Sequence, residues 1–291
     1  MSDVTEHVVR FVCEGEVLFG ITHLPRPALT RGVLIVVGGP QYRIGSHRQF
    51  VLLARELAQQ GVPVMRFDGR GMGDSTGSAP HFADTAADIR AAMDAFFQQS
   101  AGLREVVLWG LCDGASAAAL YAHQDSRVTG IVMVNPWVRT ESGLAKTYFR
   151  HYYLQRLLSP GLWRKIAKGE FSVRAAGVSL WSNILTALGR SRAGVDSDAQ
   201  RDGVDVTASL PDRLLASLRQ FKGEVLIILS SNDLTAAEFA SLLQQPDWRA
   251  LLACSRFERH ELQGANHTYA KREWRDQVTK WTVNFVRQIP K

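Results

Sequence analysis

The stretch of sequence that decides the fold spans residues 105–116 and reads EVVLWGLCDGAS. An apolar run is interrupted by Gly110, and a reactive side chain, Cys112, stands between that glycine and Gly114. The small-residue segment Ala115–Ala122 follows at once and predicts a helix. A strand, a sharp turn with a nucleophile and a helix make up a nucleophile elbow, whose strained turn needs small residues two positions before and after the nucleophile. Gly110 and Gly114 are therefore predicted to be the structural glycines of this turn.

On both sides of the elbow, apolar runs alternate with helical patterns. A hairpin is indicated around Glu14-Gly15, and continuous apolar runs of the kind found in fully buried strands follow. Strands that alternate with helices of this length predict an α/β fold with a mostly parallel central sheet flanked by helices. The predicted strands after the hairpin are residues 32–37, 62–68, 105–111, 128–134, 223–229 and 257–262, and the predicted helices are residues 47–60, 84–99, 115–122, 235–244 and 271–287.

The alternation stops at Trp137 and returns near residue 216. The intervening segments have helical patterns and many aromatic residues, and Trp137–Arg192 contains ten Lys or Arg and two acids, a local charge of +8 within a chain of net charge +6. We therefore predict an α/β core of residues 1–136 and 216–291, and a helical, basic cap insertion at 137–215. The basic charge suits an anionic substrate or an anionic membrane surface, and the alternative is an ordinary solvated helical face.

The composition is that of an ordinary globular protein. The chain has 291 residues, of which 46% are hydrophobic and 21% charged, enough for one large α/β domain or two small ones. Its three cysteines lie far apart, so neither a disulfide framework nor a metal site is indicated, and no cofactor motif occurs. No signal peptide and no apolar run of about 20 residues is visible, which predicts a cytoplasmic protein with a free thiol at Cys112.

Three loops that leave the carboxyl ends of predicted parallel strands carry Cys112, Asp233 and His267. Sites in open α/β sheets form at that edge. Cys112 is predicted to attack an acyl carbon, His267 to take the thiol proton and later activate water, and Asp233 to orient the imidazole. The helix after Cys112 favours the thiolate. The alternative for Asp233 is a helix cap, since a helix is predicted to begin at Thr235.

The backbone N–H of Asp113 is predicted to form half of an oxyanion hole, with the Asp113 side chain pointing away. The other donor is expected in the loop after the strand at residues 32–37. Pro40 has no N–H, so Gln41 is the first candidate and Gly39 the second. Three arginines near this edge are candidates for binding an anionic substrate: Arg43, Arg48 and Arg70.

The order nucleophile, acid, histidine is that of the α/β-hydrolase triad, and the chain resembles that superfamily over its full length. The loop DGRGMGDS at residues 68–75 and the elbow GLCDG at 110–114 carry the resemblance. More narrowly, the loop GGPQYRIGSHRQF at residues 38–50 and the cysteine elbow resemble the exosortase A system-associated hydrolases of type 1, which occur with bacterial exopolysaccharide and protein-sorting genes. The resemblance implies an α/β-hydrolase fold and the triad Cys112, Asp233 and His267. A cysteine replaces the usual serine, as in dienelactone hydrolases and polyhydroxyalkanoate synthases.

The leading functional hypothesis is an acyl hydrolase that acts on an ester or thioester through an acyl-cysteine intermediate. The alternatives are an acyltransferase that passes the acyl group to an alcohol or amine, and a binding or accessory protein with a decayed site. The aromatic residues of the insertion favour an acyl or lipid-linked substrate. Its basic segment Lys146–Lys168 is predicted to contact an anionic membrane surface, so the protein would be peripheral to the inner membrane. Nucleic-acid binding is not expected, since no recognised module accompanies the charge. The sequence gives no indication of the oligomeric state.

Overall fold

The structure is a computed structural model that describes residues 3–39, 41–138 and 208–290. Eight strands of these residues form one sheet in the order β1-β2-β4-β3-β5-β6-β7-β8. The strands are β1 (Asp3–Cys13), β2 (Glu16–Arg26), β3 (Arg31–Val36), β4 (Val64–Phe67), β5 (Glu105–Leu111), β6 (Val128–Val134), β7 (Glu224–Ser230) and β8 (Phe257–Leu262).

Strands β3 to β8 run parallel to one another, and the hairpin of β1 and β2 joins the sheet antiparallel to β4. The central strands are buried along nearly their whole length, as their uninterrupted apolar runs predict. Because the strands are parallel, the residues that follow β5, β7 and β8 meet at one edge of the sheet.

Seven α-helices of the described residues cover both faces of this sheet. They are α1 (Gln49–Gln59), α2 (Ala86–Gln99), α3 (Asp113–Ala122), α4 (Leu210–Gln220), α5 (Leu234–Leu242), α6 (Pro246–Leu252) and α7 (Arg272–Gln288). Alternate residues of each strand face two apolar clusters: Leu34 and Val36 of β3 pack with α2 to α6, whereas Val33 and Ile35 pack with α1 and α7. Burial on both faces explains why these strands have no polar alternation.

The predicted fold class is confirmed: the chain has an α/β-hydrolase fold with a mostly parallel sheet between layers of helices. Two elements differ from the prediction. The sequence pattern places the first strand at residues 8–12, whereas it begins at Asp3, because β1 pairs with β2 in unbroken register from Asp3 opposite Arg26 to Cys13 opposite Glu16. The short helix α6 was not predicted, and it buries only Trp248 and Leu251.

Most of the predicted cap insertion, residues 137–215, lies outside the described residues, as does the predicted membrane-binding segment Lys146–Lys168. Residues 1–138 and 209–291 belong to one compact unit. Helix α4 crosses the predicted boundary at residue 215, since its side chains Leu214, Leu215 and Leu218 are buried in the apolar cluster that contains α3. In the parts of the chain that the structure describes, no helix combines the length and apolarity needed to cross a membrane.

Candidate active site

Cys112 occupies the sharp turn between β5 and α3, where its backbone has φ of 60° and ψ of −126°. Such a conformation is strained for a residue with a side chain, and it persists only where the surroundings fix it. The N–H of Cys112 donates to the carbonyl of Val134 over 2.9 Å, and its carbonyl accepts from the N–H groups of Ala115 and Trp137, both over 3.1 Å. The turn is therefore held from β6 and from α3.

The two glycines that flank Cys112 allow the backbone to close this turn. A β-carbon on Gly110 would lie 2.4 Å from the backbone of Gly114, and one on Gly114 would lie 2.5 Å from the carbonyl oxygen of Val36. Real β-carbons do not approach backbone atoms so closely, so the predicted need for small residues two positions before and after Cys112 has a direct steric cause.

Replacing Gly114 by alanine is expected to lower the free energy of unfolding by about 1–3 kcal/mol, because the added methyl group displaces the backbone of β3. Urea denaturation measures the change. Gly102→Ala is the matched control, because a β-carbon there meets nothing within 4 Å, and it should change the free energy of unfolding by less than about 0.5 kcal/mol. Equal effects of the two substitutions would contradict the steric account.

Asp233 and His267 are brought together at the sheet edge, as predicted. Asp233 follows β7 and His267 follows β8, and Oδ2 of Asp233 lies 2.9 Å from Nδ1 of His267. The same carboxylate accepts hydrogen bonds from the N–H groups of Thr235 and Ala236, over 3.3 and 3.1 Å, at the start of α5. The two interpretations of Asp233, helix cap and histidine partner, are thus compatible, and the cap holds the carboxylate in place for the imidazole.

The imidazole of His267 lies between Asp233 and the sulfur of Cys112. Hydrogen bonds first to Asp233 and then to Cys112 raise the pKa of His267 to about 10, against a smaller opposing effect of burial. Because Nδ1 bonds to Asp233, Nε2 is the nitrogen left to face the sulfur. This raised pKa favours a protonated imidazole at neutral pH.

Asn135 and Ser230 hold the loop of His267, and neither was identified from the sequence. The amide nitrogen of Asn135 donates to Oγ of Ser230 over 3.0 Å and to the carbonyl of His267 over 3.2 Å, while its amide oxygen accepts the N–H of Ser230 over 2.8 Å. Oγ of Ser230 in turn donates to the carbonyl of Asn266 over 3.1 Å. In the sequence, each of them is a polar residue at the carboxyl end of a buried strand, and these strand ends form the sheet edge that carries the site.

The prediction that the Asp113 side chain points away is wrong. Its Oδ1 accepts the N–H of Gly114 over 3.1 Å, and the carboxylate lies against the backbone of Gly38 and Gly39 in the loop after β3. The side chain turns back because Gly38 has no β-carbon: one there would lie 2.0 Å from Oδ1 of Asp113. Burial raises the pKa of Asp113, although the nearby backbone N–H groups of Gly114, Asp113 and Gly39 partly oppose the shift.

The two residues predicted to supply the second oxyanion donor lie in the same loop but differ in their contacts. Gly39 lies beside the elbow, since a β-carbon on it would be 3.3 Å from Oδ2 of Asp113. Gln41 lines a cavity of about 480 Å³ together with Gly39 and Asp113. Its amide oxygen is buried and finds no hydrogen-bond partner among the described residues. The geometry favours Gly39 over Gln41, and the donor role of both residues stays a prediction.

Arg43 fixes this loop to the loop after β4. Its backbone N–H donates to Oδ1 of Asp68 over 2.6 Å, and its guanidinium bonds to Oδ2 of Asp68 and, over 2.6 Å, to Asp74. Asp68 is fully buried and also accepts the N–H of Asp74 over 3.2 Å. Sequence reasoning did not identify Asp68, which holds the predicted oxyanion loop through Arg43.

Asp68→Asn is expected to lower the free energy of unfolding by about 3 kcal/mol, because it leaves a partly buried guanidinium without its buried counter-charge. Urea denaturation measures this change. Asp276→Asn is the control, since Asp276 forms an exposed pair with Arg272 on one helix, and such pairs contribute about 0.5 kcal/mol or less. An Asp68→Asn protein as stable as the control would rule out a structural role for this ion pair.

Two of the three arginines predicted as anion-binding candidates are engaged in ion pairs. Arg43 is bound to Asp68 and Asp74, and Arg70 is bound to Asp88 and Glu14. Their guanidinium groups stabilise loops instead of presenting free charge to a ligand, which corrects that prediction. Arg48 is exposed.

The eight-stranded sheet, the strained turn after β5 and the Asp–His pair at the same edge define an α/β-hydrolase. The family model described as serine aminopeptidase, S33, matches residues 30–175, and the chain belongs to this family. The family description names a serine, whereas this chain has Cys112 at the elbow. No curated protein matches the chain.

Solved α/β-hydrolase structures resemble the chain over nearly its whole length. The esterase Pf2001 of Pyrococcus furiosus has a TM-score of 0.65 at 13% identity and covers 98% of this chain and 92% of its own. A dienelactone hydrolase of Anabaena variabilis has a TM-score of 0.62 at 15% identity and covers 99% of both chains. Est1E of Butyrivibrio proteoclasticus, solved with ferulic acid bound, has a TM-score of 0.60 at 14% identity, with 96% and 98% coverage. Identities this low show a shared fold.

Proposed function

We propose that this protein is an acyl hydrolase that cleaves carboxylic esters or thioesters through an acyl-Cys112 intermediate. The observation that carries the proposal is the position of the His267 imidazole, which bonds to Asp233 over 2.9 Å on one side and interacts with the Cys112 sulfur on the other. A nucleophile, a base and a group that orients the base are the parts that acyl transfer needs.

In the first half of the reaction, Sγ of Cys112 attacks the carbonyl carbon and His267 holds the thiol proton. The oxygen of the tetrahedral intermediate gains negative charge, which the N–H groups of Asp113 and Gly39 would stabilise, with that of Gln41 as the alternative second donor. When the intermediate collapses, the bond to the leaving alkoxide or thiolate breaks. The imidazolium gives its proton to that group, and a thioester to Cys112 remains.

In the second half, water attacks the thioester carbonyl and His267 takes a proton from it. The carbon–sulfur bond then breaks, which releases the carboxylic acid and returns the sulfur to its resting state with the proton on His267. Asp233 stabilises the imidazolium in both halves, because its carboxylate accepts the Nδ1 proton throughout.

The proposal extends to the cap and the biological setting. The basic, aromatic segment between the two core portions of the sequence would select a small acyl or lipid-linked substrate. A ferulic acid complex of a fold relative supports a small ester as a substrate. We further propose that the protein is cytoplasmic and contacts an anionic inner-membrane surface. Liposome co-sedimentation tests this contact, and the absence of a preference for anionic lipid would contradict the proposed membrane contact.

The resemblance of the loop at residues 38–50 and of the cysteine elbow to type 1 exosortase A system-associated hydrolases supports an accessory role in bacterial exopolysaccharide or protein sorting. Genetic deletion in a host that carries such a system tests this role. Loss or alteration of exopolysaccharide is expected, and an unchanged exopolysaccharide together with unchanged protein sorting would contradict it.

A panel of p-nitrophenyl esters and acyl thioesters of increasing chain length tests the reaction type. We expect multiple turnovers with at least one ester or thioester, with release of the free acid into water. Release of the leaving group only in the presence of an added alcohol or amine would instead identify an acyltransferase. Absence of any turnover, together with Cys112 alkylation by iodoacetamide no faster than for a free thiol, would indicate an inactive site.

A further inference from the structure

Strand β1 forms one edge of the sheet, and among the described residues it pairs only with β2. The outer edge of such a strand presents a row of unpaired N–H and C=O groups, which another strand can use unless the edge is short, bulged or interrupted by proline. β1 has 11 residues, contains no proline and pairs with β2 without a register shift. Its backbone is therefore able to accept a further strand.

The turn between β1 and β2 determines which backbone groups face outward. Glu14 and Gly15 both have positive φ, 50° and 87°, as a two-residue type I′ turn requires. The residues that flank such a turn, Cys13 and Glu16, form a hydrogen-bonded pair, and bonded and non-bonded pairs alternate from there along the strand. The odd-numbered residues of β1 therefore bond to β2, and the even-numbered residues direct their N–H and C=O groups outward.

The side chains of the even-numbered residues lie on one face of β1, and that face is exposed. Val8 is 74% exposed and Val12 is 59% exposed, whereas Val9 on the opposite face is buried. Exposed apolar side chains on a long edge strand favour association with another chain. The backbone groups and the apolar side chains that could meet a partner thus belong to the same residues.

The exposed face of β1 is complementary to itself. From one end to the other it consists of Val4, Glu6, Val8, Arg10 and Val12. If a second copy of β1 lies antiparallel with Val8 opposite Val8, then Glu6 lies opposite Arg10 and Val4 lies opposite Val12. Cross-strand pairs of opposite charge and pairs of β-branched residues both stabilise antiparallel strands. All five residues have outward backbone groups, so each pair in this register is also a hydrogen-bonded pair.

The charges select this register against its neighbours. Shifting the second strand by two residues places each charge opposite a valine, and shifting it by four places Glu6 opposite Glu6 or Arg10 opposite Arg10. Arg10 is exposed and has no ion-pair partner among the described residues. Glu6 bonds to Arg55 over 2.7 Å, but a carboxylate accepts up to about four hydrogen bonds and has room for a second partner. Charges on an edge strand usually oppose association, whereas here each meets its opposite.

We propose that β1 is the interface of a symmetric dimer, in which the β1 strands of two copies of this chain pair antiparallel about Val8. The same surface of each copy then meets its counterpart, as two-fold symmetry requires, and two eight-stranded sheets become one continuous sheet. In each copy β2, β4 and β3 separate β1 from β5, so the candidate triad takes no part in the interface. The inference is independent of the proposed acyl hydrolase function.

Cysteine cross-linking tests the register. Opposite residues of a hydrogen-bonded pair have Cα atoms about 5.5 Å apart, which a disulfide can span. In a Cys254→Ala background, which removes an exposed native thiol, Val8→Cys is expected to form a disulfide-linked dimer on mild oxidation. Val12→Cys is the matched control and should not, because its two copies would lie about 27 Å apart in this register. Absence of the link in Val8→Cys, or equal linking in both variants, would overturn the inference.

Analytical ultracentrifugation over a concentration series tests the charge pairing. The wild-type chain of 32.3 kDa is expected to show a monomer–dimer equilibrium. Arg10→Glu puts two carboxylates opposite each other at both ends of the interface and should weaken dimerisation at least about tenfold. Arg249→Glu makes the same charge change at an exposed position of α6 and should leave dimerisation unchanged. A monomeric wild type, or equal dimerisation of the two variants, would contradict the proposed interface. Neither experiment depends on turnover.

Discussion

Replacing Cys112 by alanine is expected to lower kcat/KM for an ester or thioester by at least about 10⁴-fold, because no other group at the elbow can form the acyl-enzyme. Cys112 stands on a turn whose geometry is fixed by β6 and α3, so the substitution removes the sulfur without loosening the site. Steady-state kinetics on the best substrate of the panel measure the loss, and circular dichroism verifies the fold.

Two further cysteine variants make this result specific. Cys254 is exposed and far from the elbow in sequence, so Cys254→Ala should keep wild-type kinetics. Cys112→Ser keeps a nucleophile at the same turn and should retain measurable turnover, whereas Cys112→Ala should not. If Cys112→Ala kept more than a tenth of the wild-type kcat/KM, the acyl-cysteine mechanism would be excluded.

Asp233→Asn is expected to lower kcat by about 10²–10⁴-fold, because the imidazolium of His267 loses the carboxylate that stabilises and orients it. Asparagine is as good a helix cap as aspartate, so the start of α5 should remain intact. Asp233→Ala removes both functions and should lose stability in addition to activity. If the two variants lost equal stability and Asp233→Asn lost little kcat, Asp233 would serve only as a helix cap.

The same variant gives a pH-dependent stability effect of known sign. The pKa of His267 is raised to about 10 in the folded protein, above its ordinary value of about 6.5 in an unfolded chain. The stabilisation is therefore fully present below about pH 6.5 and is lost as pH rises toward about 10. Urea denaturation between these pH values should show wild-type stability falling more steeply than that of Asp233→Asn. Parallel curves would contradict the Asp233–His267 interaction.

The sheet and the position of the candidate triad were predictable because each depends on short-range patterns. Gly110 and Gly114 mark the elbow through their spacing, and continuous apolar runs mark strands that are buried on both faces. Asp233 and His267 follow two such strands, and parallel strands bring their carboxyl ends together. The proximity of these residues thus follows from the parallel pairing of β7 and β8, and their side chains form a hydrogen bond.

The contacts that support the site depend on side-chain packing and could not be predicted from the sequence. Asp113 turns toward Gly38 because this glycine, in the loop after β3, has no β-carbon and so leaves room for the carboxylate. Arg43 forms ion pairs with Asp68 and Asp74, which no short-range sequence pattern indicates. Asn135 joins β7 and the His267 loop across 95 and 132 residues of sequence. Each contact joins residues that are far apart along the chain, and no periodic pattern in the sequence relates them.

The most direct test of an acyl-Cys112 intermediate is peptide mass spectrometry of the protein after its reaction with an ester substrate has been quenched rapidly with acid. Tryptic cleavage after Arg104 and Arg127 yields a peptide of residues 105–127 that contains Cys112 as its only cysteine. We predict the acyl mass on Cys112, removable by neutral hydroxylamine as expected of a thioester. An acyl group on Ser116 or another residue, or continued turnover with no adduct under any quench time, would contradict the account.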